Sequence, residues 1–389
     1  MSNPSTVSNP VPMLDVSRGN QPLREDFLAA LASVIDSGRF LFGEEVARLE
    51  RQLAQLHQVD HAVACANGSD ALLLALMALD IGPGDEVIVP SFTFFATASC
   101  VARLGAKIVF VDIEPKTFNI DPDAVAAAIT PRTRAIIPVH LFGQAAAIDR
   151  ICQMADAKGI HVVEDAAQAV AAAYRSRPVG SWGLVGCLSF YPTKNMGGMG
   201  DGGMLLTRDA EFADRLRLFA GHGMRPRYYH QVVGINSRLD SFQAAVLEIK
   251  LKHLPSATVA RQVHAARYRQ LLEESGLTGK AITLPVQDPA AYHVWNQFTI
   301  RVPAAERDAV RTHLQQRGIG SEIYYPVPLH RQVCFESLGY EPGSLPHTER
   351  ACSEVISLPM YAELTADEQV RVVEGLASYF RTAAHRAAA

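Results

Sequence analysis

The sequence predicts an α/β protein with two domains, and three observations favour this fold class. Short apolar, β-rich runs alternate with Ala-rich helical segments between residues 62 and 164. Continuous apolar strands joined by helical crossovers are typical of a mostly parallel sheet covered on both faces. After about residue 255 this alternation ends, and helices mix with strands suited to antiparallel pairing. A chain of 389 residues has room for a large layered domain with a mixed sheet and a smaller α+β C-terminal domain.

The individual elements follow from apolar periodicity and from Gly and Pro breaks. Apolar residues at helical spacing between 21 and 57 predict two entering helices with a break at 37–39. The large domain is then expected to contain strands at 62–66, 86–89, 107–111, 133–139, 161–164, 186–190 and 203–207. Its helices are expected at 69–79, 95–104, 123–129 and 147–158, and from 210 and 241 onwards. The later segment is expected to contain a helix through 271–272, a strand at 297–302, a helix at 306–316, a strand at 321–325 and a final helix near 366–384.

Three segments are expected along the chain. Residues 1–12, rich in Ser, Asn and Pro, predict a flexible leader that has nothing apolar to pack. Residues 13–254 are expected to form the large domain, which the chain leaves around Pro255. Residues 255–389 are expected to form the smaller domain.

Composition narrows the class of function. The chain is 48% hydrophobic and 20% charged, which is typical of a folded globular protein. A net charge of −4 and the absence of a dense Lys/Arg stripe argue against a nucleic-acid partner. Apolar runs are too short to span a bilayer and no signal peptide is recognisable, so no membrane is expected and the location is predicted to be cytoplasmic. Six cysteines without any CxxC pair argue against a zinc site or a disulfide framework, so no metal is expected.

The sharpest chemical motif surrounds Lys194. It lies in SFYPTKNMGG, followed by GDGG, between two predicted strands. Glycines leave no Cβ in the way, so a planar cofactor can approach closely. A lysine forms an imine with an aldehyde only as the neutral amine, so burial or a nearby cation must lower its pKa. An isolated lysine in such a turn is ordinarily a surface residue, and only the other motifs favour a cofactor role here.

Asp165, in EDAAQA, stands where the strand at 161–164 should end. An acid at the carboxyl end of a strand lies at the crevice where α/β proteins bind ligands. A carboxylate paired with a pyridinium nitrogen keeps that ring protonated and electron-accepting. On its own, Asp165 would be read as a strand-end acid or a helix cap. Its position ahead of Lys194 makes the pair informative.

Two strand-to-helix turns supply further candidates. Gly68 and Ser69, in NGSDAL, are expected at a helix N-terminus, where free N–H groups and the helix dipole favour an anion. The alternative is a plain Ser or Asp N-cap. Phe94, in PSFTFF, could stack on a cofactor ring or could be an ordinary core residue.

The motifs together resemble a known family. In the order GSDAL, PSFTF, EDAAQA, SFYPTKNMGG with GDGG, and GINSRLD, they resemble the DegT/DnrJ/EryC1/StrS sugar aminotransferases over roughly residues 15–380. The resemblance implies a fold-type I, aspartate-aminotransferase-like fold and pyridoxal 5′-phosphate as the cofactor. It also implies a homodimer with active sites shared between subunits.

The resemblance implies a role for each matching residue. Lys194 would hold the cofactor as a Schiff base and shuttle protons, and Asp165 would pair with the pyridine nitrogen. Gln168 would approach the ring and its 3-hydroxyl. Phe94 stands where the family often has a Trp or Tyr that stacks on the ring. The groups implied to hold the phosphate are Gly68, Ser69, Ser189 and, from the partner subunit, Asn236.

A later stretch bears on the substrate. Residues 323–330, IYYPVPLH, resemble the YPxPLH segment of family members that act at C-3 of a hexose. Some of those members make 3-amino hexuronic acids for surface polysaccharides. The resemblance implies that Tyr324 and Tyr325 line the sugar pocket. His330 is a further candidate for substrate contact, with a structural role in its loop as the alternative.

Arg238 could bind a uronate carboxylate through a bidentate, charge-assisted pair. The alternative is a structural ion pair with Asp240 or another acid. The resemblance therefore implies amino transfer from an amino acid, glutamate in the family, to a 3-keto hexose or 3-keto hexuronate linked to a nucleotide.

Other activities stay open at this point. They are a C-4 keto-sugar aminotransferase, an aminocyclitol aminotransferase, a pyridoxal-phosphate-dependent sugar dehydratase and a catalytically inactive regulator of the same fold. The family's dehydratase branch carries His in place of the lysine, so Lys194 favours amino transfer.

Overall fold

A computed structural model describes residues 10–388, and side chains up to residue 382. Its central feature is a seven-stranded sheet, with two small sheets beside it. The strands are β1 His61–Cys65, β2 Glu86–Pro90, β3 Lys107–Val111, β4 Thr133–Ile136, β5 His161–Asp165, β6 Ala173–Tyr174, β7 Arg177–Pro178, β8 Val185–Ser189, β9 Gly203–Thr207, β10 Ala291–Tyr292, β11 Phe298–Arg301 and β12 Val355–Leu358. The helices are α1 Val16–Asn20, α2 Arg24–Ser37, α3 Glu44–Leu56, α4 Gly68–Ala78, α5 Ala96–Arg103, α6 Pro122–Ala128, α7 Ile148–Asp156, α8 Ala210–Ala220, α9 Ser241–Glu274, α10 Arg307–Gln316, α11 Pro346–Glu354 and α12 Ala366–Ala388.

The large sheet is mixed but mostly parallel. Its strand order is β1-β9-β8-β5-β4-β2-β3. Neighbours from β8 to β3 pair in parallel, whereas β9 pairs antiparallel with both β1 and β8. All residues of β2, β8 and β9 are buried, which explains why these strands read as continuous apolar runs. The predicted fold class is confirmed.

Helices cover both faces of this sheet because successive strand side chains point to opposite sides. In β5, Val162 belongs to the core that includes residues of α3 and α7, and the next residue, Val163, belongs to a second core that includes residues of α4, α5 and α8. The crossovers therefore bring the carboxyl ends of β1, β2, β5 and β8 to one edge of the sheet. Ligands bind at this edge in open α/β sheets.

The second part of the chain forms its own core. The antiparallel pair β11–β12 packs with α10, α12 and the second half of α9, around Tyr268 and Phe298. β12 was not predicted, since a four-residue apolar run is too short to identify by periodicity. The predicted strand at 321–325 is wrong. Only Glu322 pairs, as an isolated bridge with Ser357, and the following residues turn into a cavity wall instead.

The junction between the two parts lies inside one helix. α9 runs unbroken through Pro255, from the large-sheet core at Leu247 to the second core at Leu272. The domain division at 254/255 stays a prediction.

The predicted leader lies largely at residues 1–9, outside the described part of the chain. Within the remainder, the expectation of unpacked residues is wrong at Val11. Its N–H donates to Gly318 at 2.8 Å, its carbonyl accepts from Gly320 at 2.8 Å, and its side chain is fully buried in the second core. A single apolar side chain with both backbone groups paired is enough to order this position.

None of the helices in residues 10–388 is long and apolar enough to cross a membrane. Within the same residues, His, Cys, Asp and Glu side chains form no group of three or more that could hold a metal ion.

Candidate active site

A cavity of about 720 Å³ opens where the carboxyl ends of the strands meet. A cavity of this size is typical of a cofactor or small-molecule site. The side chains and backbone that line it come from the strand ends of the large domain and from the segment around Tyr325 of the second part. The lining residues are Asn67, Gly68, Ser69, Leu72, Thr93, Phe94, Ala96, Val139, Asp165, Ala167, Gln168, Ser189, Tyr191, Thr193, Lys194, Asp201, Gln297, Glu322, Ile323, Tyr324 and Tyr325.

One end of the cavity is built for an anion. Asn67 caps α4, because its Oδ1 accepts a hydrogen bond from the backbone N–H of Asp70 at 2.8 Å. The cap is therefore not Ser69, whose exposed hydroxyl is left for a ligand. A Cβ on Gly68 would lie 2.7 Å from the Cβ of Ser189, so only glycine lets these two segments approach so closely. Ser69 and Ser189 therefore both line the cavity beside the N-terminus of α4, where helix N–H groups favour an anion.

Asp165 is the last residue of β5 and is 5% exposed. Its Oδ2 accepts a hydrogen bond from the hydroxyl of Thr97 at 2.8 Å, and its Oδ1 accepts one from the backbone N–H of Ala167 at 3.2 Å. Burial raises the pKa of this carboxyl, while the hydrogen bond from Thr97 opposes the rise. The charge of Lys194 in the same cavity also opposes the rise, although no described cation forms an ion pair with this carboxylate.

Lys194 lies in the turn between β8 and β9, where its N–H donates to the carbonyl of Tyr191 at 2.9 Å. Burial lowers the pKa of its amine, and the charge of Asp165 partly offsets that effect. Its Nζ forms no ion pair with the described residues. A larger neutral fraction is what a nucleophilic lysine needs.

Gln168 and Tyr325 close another wall. The Nε2 of Gln168 donates to the hydroxyl of Tyr325 at 3.1 Å, and its Oε1 accepts from the backbone N–H of Phe142 at 2.7 Å. Phe94 is 56% exposed and its ring lies 6.3 Å from that of Tyr325. The alternative of a core phenylalanine is therefore wrong, because the ring borders the cavity.

These residues fit pyridoxal 5′-phosphate on their own chemistry. The α4 end suits a phosphate, and the unpaired carboxylate of Asp165 suits a protonated ring nitrogen. The amine of Lys194 suits an aldehyde, and the exposed ring of Phe94 suits an aromatic face. The structure thus combines, in one cavity, every kind of group that this cofactor requires.

The fold and this site define an enzyme of the pyridoxal-phosphate-dependent aminotransferase class. The sequence matches the DegT/DnrJ/EryC1/StrS aminotransferase family over residues 21–377, and the chain belongs to that family. The predicted family, enzyme class and cofactor are confirmed, since aminotransferases of this family depend on pyridoxal phosphate.

Individual relatives cover nearly the whole chain. A protein named pleiotropic regulatory protein, from Geobacillus stearothermophilus, is 48% identical over 371 residues, 95% of this chain and 99% of the relative. The UDP-N-acetyl-3-dehydro-α-D-glucosamine 3-aminotransferase of Acidithiobacillus ferrooxidans is 43% identical over 367 residues, 94% of this chain and 97% of the relative. The crystal structure of DesV from S. venezuelae, in complex with a ketimine intermediate, matches with a TM-score of 0.91 and 44% identity, covering 96% of this chain and 99% of that one.

Three predicted site residues do not line the cavity within one chain. Asn236 is exposed and forms a backbone bridge with Gly221. Arg238 makes no ion pair with Asp240, which caps α9 instead, and its guanidinium lies 5.8 Å from the ring centre of Phe42. The alternative of a structural ion pair between these two residues is therefore wrong.

His330 is buried away from the cavity. Its Nδ1 lies 2.7 Å from the hydroxyl of Ser91, and its Nε2 lies 3.2 Å from a carboxylate oxygen of Glu349. Burial lowers the pKa of this imidazole, although the bond to Glu349 opposes the shift. The structure does not place it with the substrate residues, and its alternative role within its loop fits better.

Sequence reasoning did not single out several residues that the fold brings to the site. Thr97 contacts Asp165, and Gln297 and Glu322 line the far side of the cavity. The one signal that could have drawn attention is the pair Thr93 and Thr97 beside Phe94 at the start of a predicted helix, and their hydroxyls lie 3.1 Å apart in the structure. Gln297 and Glu322 carry no local signal.

Proposed function

We propose that this protein transfers an amino group from L-glutamate to the 3-keto group of a nucleotide-linked hexose. The observation that carries the proposal is the meeting of Lys194, Asp165 and the anion-binding end at Ser69 in one cavity of about 720 Å³. The position C-3 is supported by the relative named as a 3-aminotransferase of a 3-dehydro sugar.

Bound pyridoxal phosphate would supply an aldehyde carbon and a ring that stabilises negative charge on the reacting carbon. The hydroxyls of Ser69 and Ser189, with the first N–H groups of α4, would hold the phosphate. The carboxylate of Asp165, which Thr97 keeps oriented, would accept a hydrogen bond from the ring nitrogen. The exposed ring of Phe94 would pack against the cofactor and help to exclude water.

Lys194 is the proton carrier of the proposed reaction. Because burial lowers the pKa of its amine, Lys194 can accept a proton from the substrate carbon as a neutral base. The same group, then protonated, can return the proton to a neighbouring carbon. A positioned acid–base group of this kind contributes roughly 10²–10⁴-fold in rate.

The sugar is proposed to lie against Tyr324 and Tyr325, at the end of the cavity away from the phosphate site. The cavity of one chain has Asp165, Asp201 and Glu322 as acids and Lys194 as its cation. A negatively charged nucleotide and a uronate would both need further donors. We therefore propose a homodimer in which Asn236 and Arg238, both on the surface of one chain, reach the cavity of the other.

The spectrum of the purified protein with bound pyridoxal phosphate tests the proposal. Addition of L-glutamate should shift the visible absorption band to that of the amino form of the cofactor, and Lys194→Ala should lack the original band and the shift. Under steady-state conditions this variant should lose roughly 10²–10⁴-fold in kcat.

If glutamate converts the cofactor of the wild type to its amino form, 3-keto and 4-keto sugars linked to UDP or to dTDP are tested next. The sugar that is aminated identifies the keto position and the nucleotide. The proposal would be overturned if the wild type binds the cofactor but no amino donor converts that cofactor to its amino form. The dehydratase and regulator would then be the remaining candidates, and one relative already carries the name of a regulatory protein.

A further inference from the structure

The side chain next to the lysine ties its loop to a distant segment of the chain. The Nδ2 of Asn195 donates to the carbonyl of Val294 at 2.9 Å, and its Oδ1 accepts from the Nδ2 of Asn296 at 2.8 Å. Asn296 is only 7% exposed, so this pair of amides lies in a low-dielectric environment. The loop of Lys194 is therefore held by residues about one hundred positions further along the chain.

That distant segment is itself firmly held. Arg261 donates through Nη1 to the carbonyls of Trp295 at 3.0 Å and Met360 at 2.9 Å. A Cβ on Gly143, which has a φ of +95°, would lie 2.9 Å from the backbone nitrogen of Asn296. Only glycine therefore allows the two backbones to approach so closely, and the position of Asn296 leaves little freedom to adjust.

The same segment connects to the substrate wall. The backbone N–H of Asn296 donates to the carbonyl of Phe142 at 2.9 Å. The N–H of Phe142 donates to Gln168, which donates in turn to the hydroxyl of Tyr325. A continuous series of hydrogen bonds thus runs from Asn195 around the cavity to Tyr325.

We propose that Asn195 and Asn296 are positioning residues that couple the proton-carrying Lys194 to the substrate wall at Tyr325. A change in the hydrogen bond at Tyr325 would move the loop of Lys194 through this series, without direct contact between the two side chains. The inference rests on the proposed roles of Lys194 and Tyr325 in the function above.

A double-mutant cycle on the full-length protein with bound pyridoxal phosphate tests the coupling. Tyr325→Phe removes only the hydroxyl, and Asn296→Asp replaces the amide that donates to Asn195 with an acceptor of the same shape. The readout is the pH midpoint at which the visible absorption of the lysine-bound cofactor changes. Each single variant should shift this midpoint. The shift of the double variant should differ from the sum of the two single shifts, by an amount that corresponds to about threefold or more in the acid dissociation constant.

Thr299→Val serves as the control, because it removes another buried hydrogen bond nearby, between Thr299 and Ser357 at 2.8 Å. It should leave the midpoint unchanged although it weakens the fold. Because the new carboxylate of Asn296→Asp would repel Oδ1 of Asn195, Asn296→Ala is measured in parallel. The deviation from additivity should have the same sign with both substitutions. Additive shifts in both cycles would overturn the coupling.

A second readout does not involve the cofactor spectrum. Hydrogen exchange of the backbone amides between 194 and 198 should be faster in Asn296→Asp than in wild type, and unchanged in Thr299→Val. Failure of the proposed function would appear separately, because no amino donor would then convert the cofactor bound to the wild type. The pH titration would still report on the coupling in that case.

Discussion

The buried Asp165 and the half-buried Lys194 line the same cavity, and the protein interior shifts their pKa values in opposite directions. Burial raises the pKa of the Asp165 carboxyl and lowers the pKa of the Lys194 amine, so each is pushed towards its neutral form. Each also opposes the shift of the other through its charge. A protonated ring nitrogen would supply a positive charge that favours the ionised form of Asp165, and the neutral amine of Lys194 would suit an aldehyde.

The raised pKa of Asp165 makes the stability of the cofactor-free protein depend on pH. The contribution of this carboxyl to the free energy of unfolding is fully present below the pKa of an unfolded aspartate, about 4. It is lost as the pH rises through the pKa of the folded state. The reason is that the folded carboxyl binds its proton more tightly than the unfolded one does. Asp165→Asn removes this loss, so the stability of the variant relative to wild type should increase as pH rises from about 4. Urea unfolding of both proteins at a series of pH values measures the difference in their free energies of unfolding. A difference that does not change with pH would contradict the prediction.

At the level of elements, the start of α4 joins stability to ligand binding. Asn67 caps the helix through a 2.8 Å hydrogen bond, and the adjacent Gly68 and Ser69 provide the anion-binding end. In the same way Asp209 caps α8 through a 2.9 Å bond to the N–H of Phe212, but that helix does not line the cavity. The two caps are therefore matched in local structure and differ in their relation to the site.

Asn67→Ala and Asp209→Ala should each lower the free energy of unfolding by about 1 kcal/mol, because each loses an N-cap. Only Asn67→Ala should also weaken the affinity for pyridoxal phosphate, since it loosens the turn that presents Ser69. Urea unfolding and cofactor titration measure the two effects. Equal cofactor affinity in the two variants would show that the α4 end does not hold the phosphate.

For the whole molecule, the cavity lies where strand ends of the large sheet meet the segment around Tyr325. The continuous α9 links the two cores, and Arg261, buried on this helix, holds carbonyls of two separate segments. Burial lowers the pKa of Arg261 to about 10, so the guanidinium remains charged at neutral pH. The geometry of the site therefore depends on how the two parts pack, and in the proposed dimer also on a second chain.

Mixing inactive variants tests the shared site. Lys194→Ala and Asn236→Ala should each be nearly inactive as homodimers. After subunit exchange, half of the dimers would contain one variant of each kind, and each such dimer has one intact cavity if Asn236 acts across the interface. Activity should recover to about a quarter of the wild-type value. No recovery, with exchange verified by mass, would place Asn236 in the site of its own chain, and an active Asn236→Ala homodimer would place it outside the site.

The sequence by itself determined the layered fold, and it singled out the residues that are proposed to hold the cofactor. Alternating apolar runs and helices identify strand ends. Asp165 is the last residue of β5, Ser69 lies in the first turn of α4 after β1, and Lys194 lies in the loop after β8. The strands at 186–190 and 203–207 were predicted to within one residue of β8 and β9 for the same reason.

Only the tertiary structure decided the rest. His330 was expected at the substrate but is buried against Ser91 and Glu349, and 321–325 was expected as a strand but turns into the cavity wall. Asn296 pairs with Asn195, about one hundred positions earlier, and the N–H of Gln297 donates to the carbonyl of Phe142 at 3.3 Å. Such long-range pairings depend on how whole elements pack, and neither periodicity nor a short motif records them.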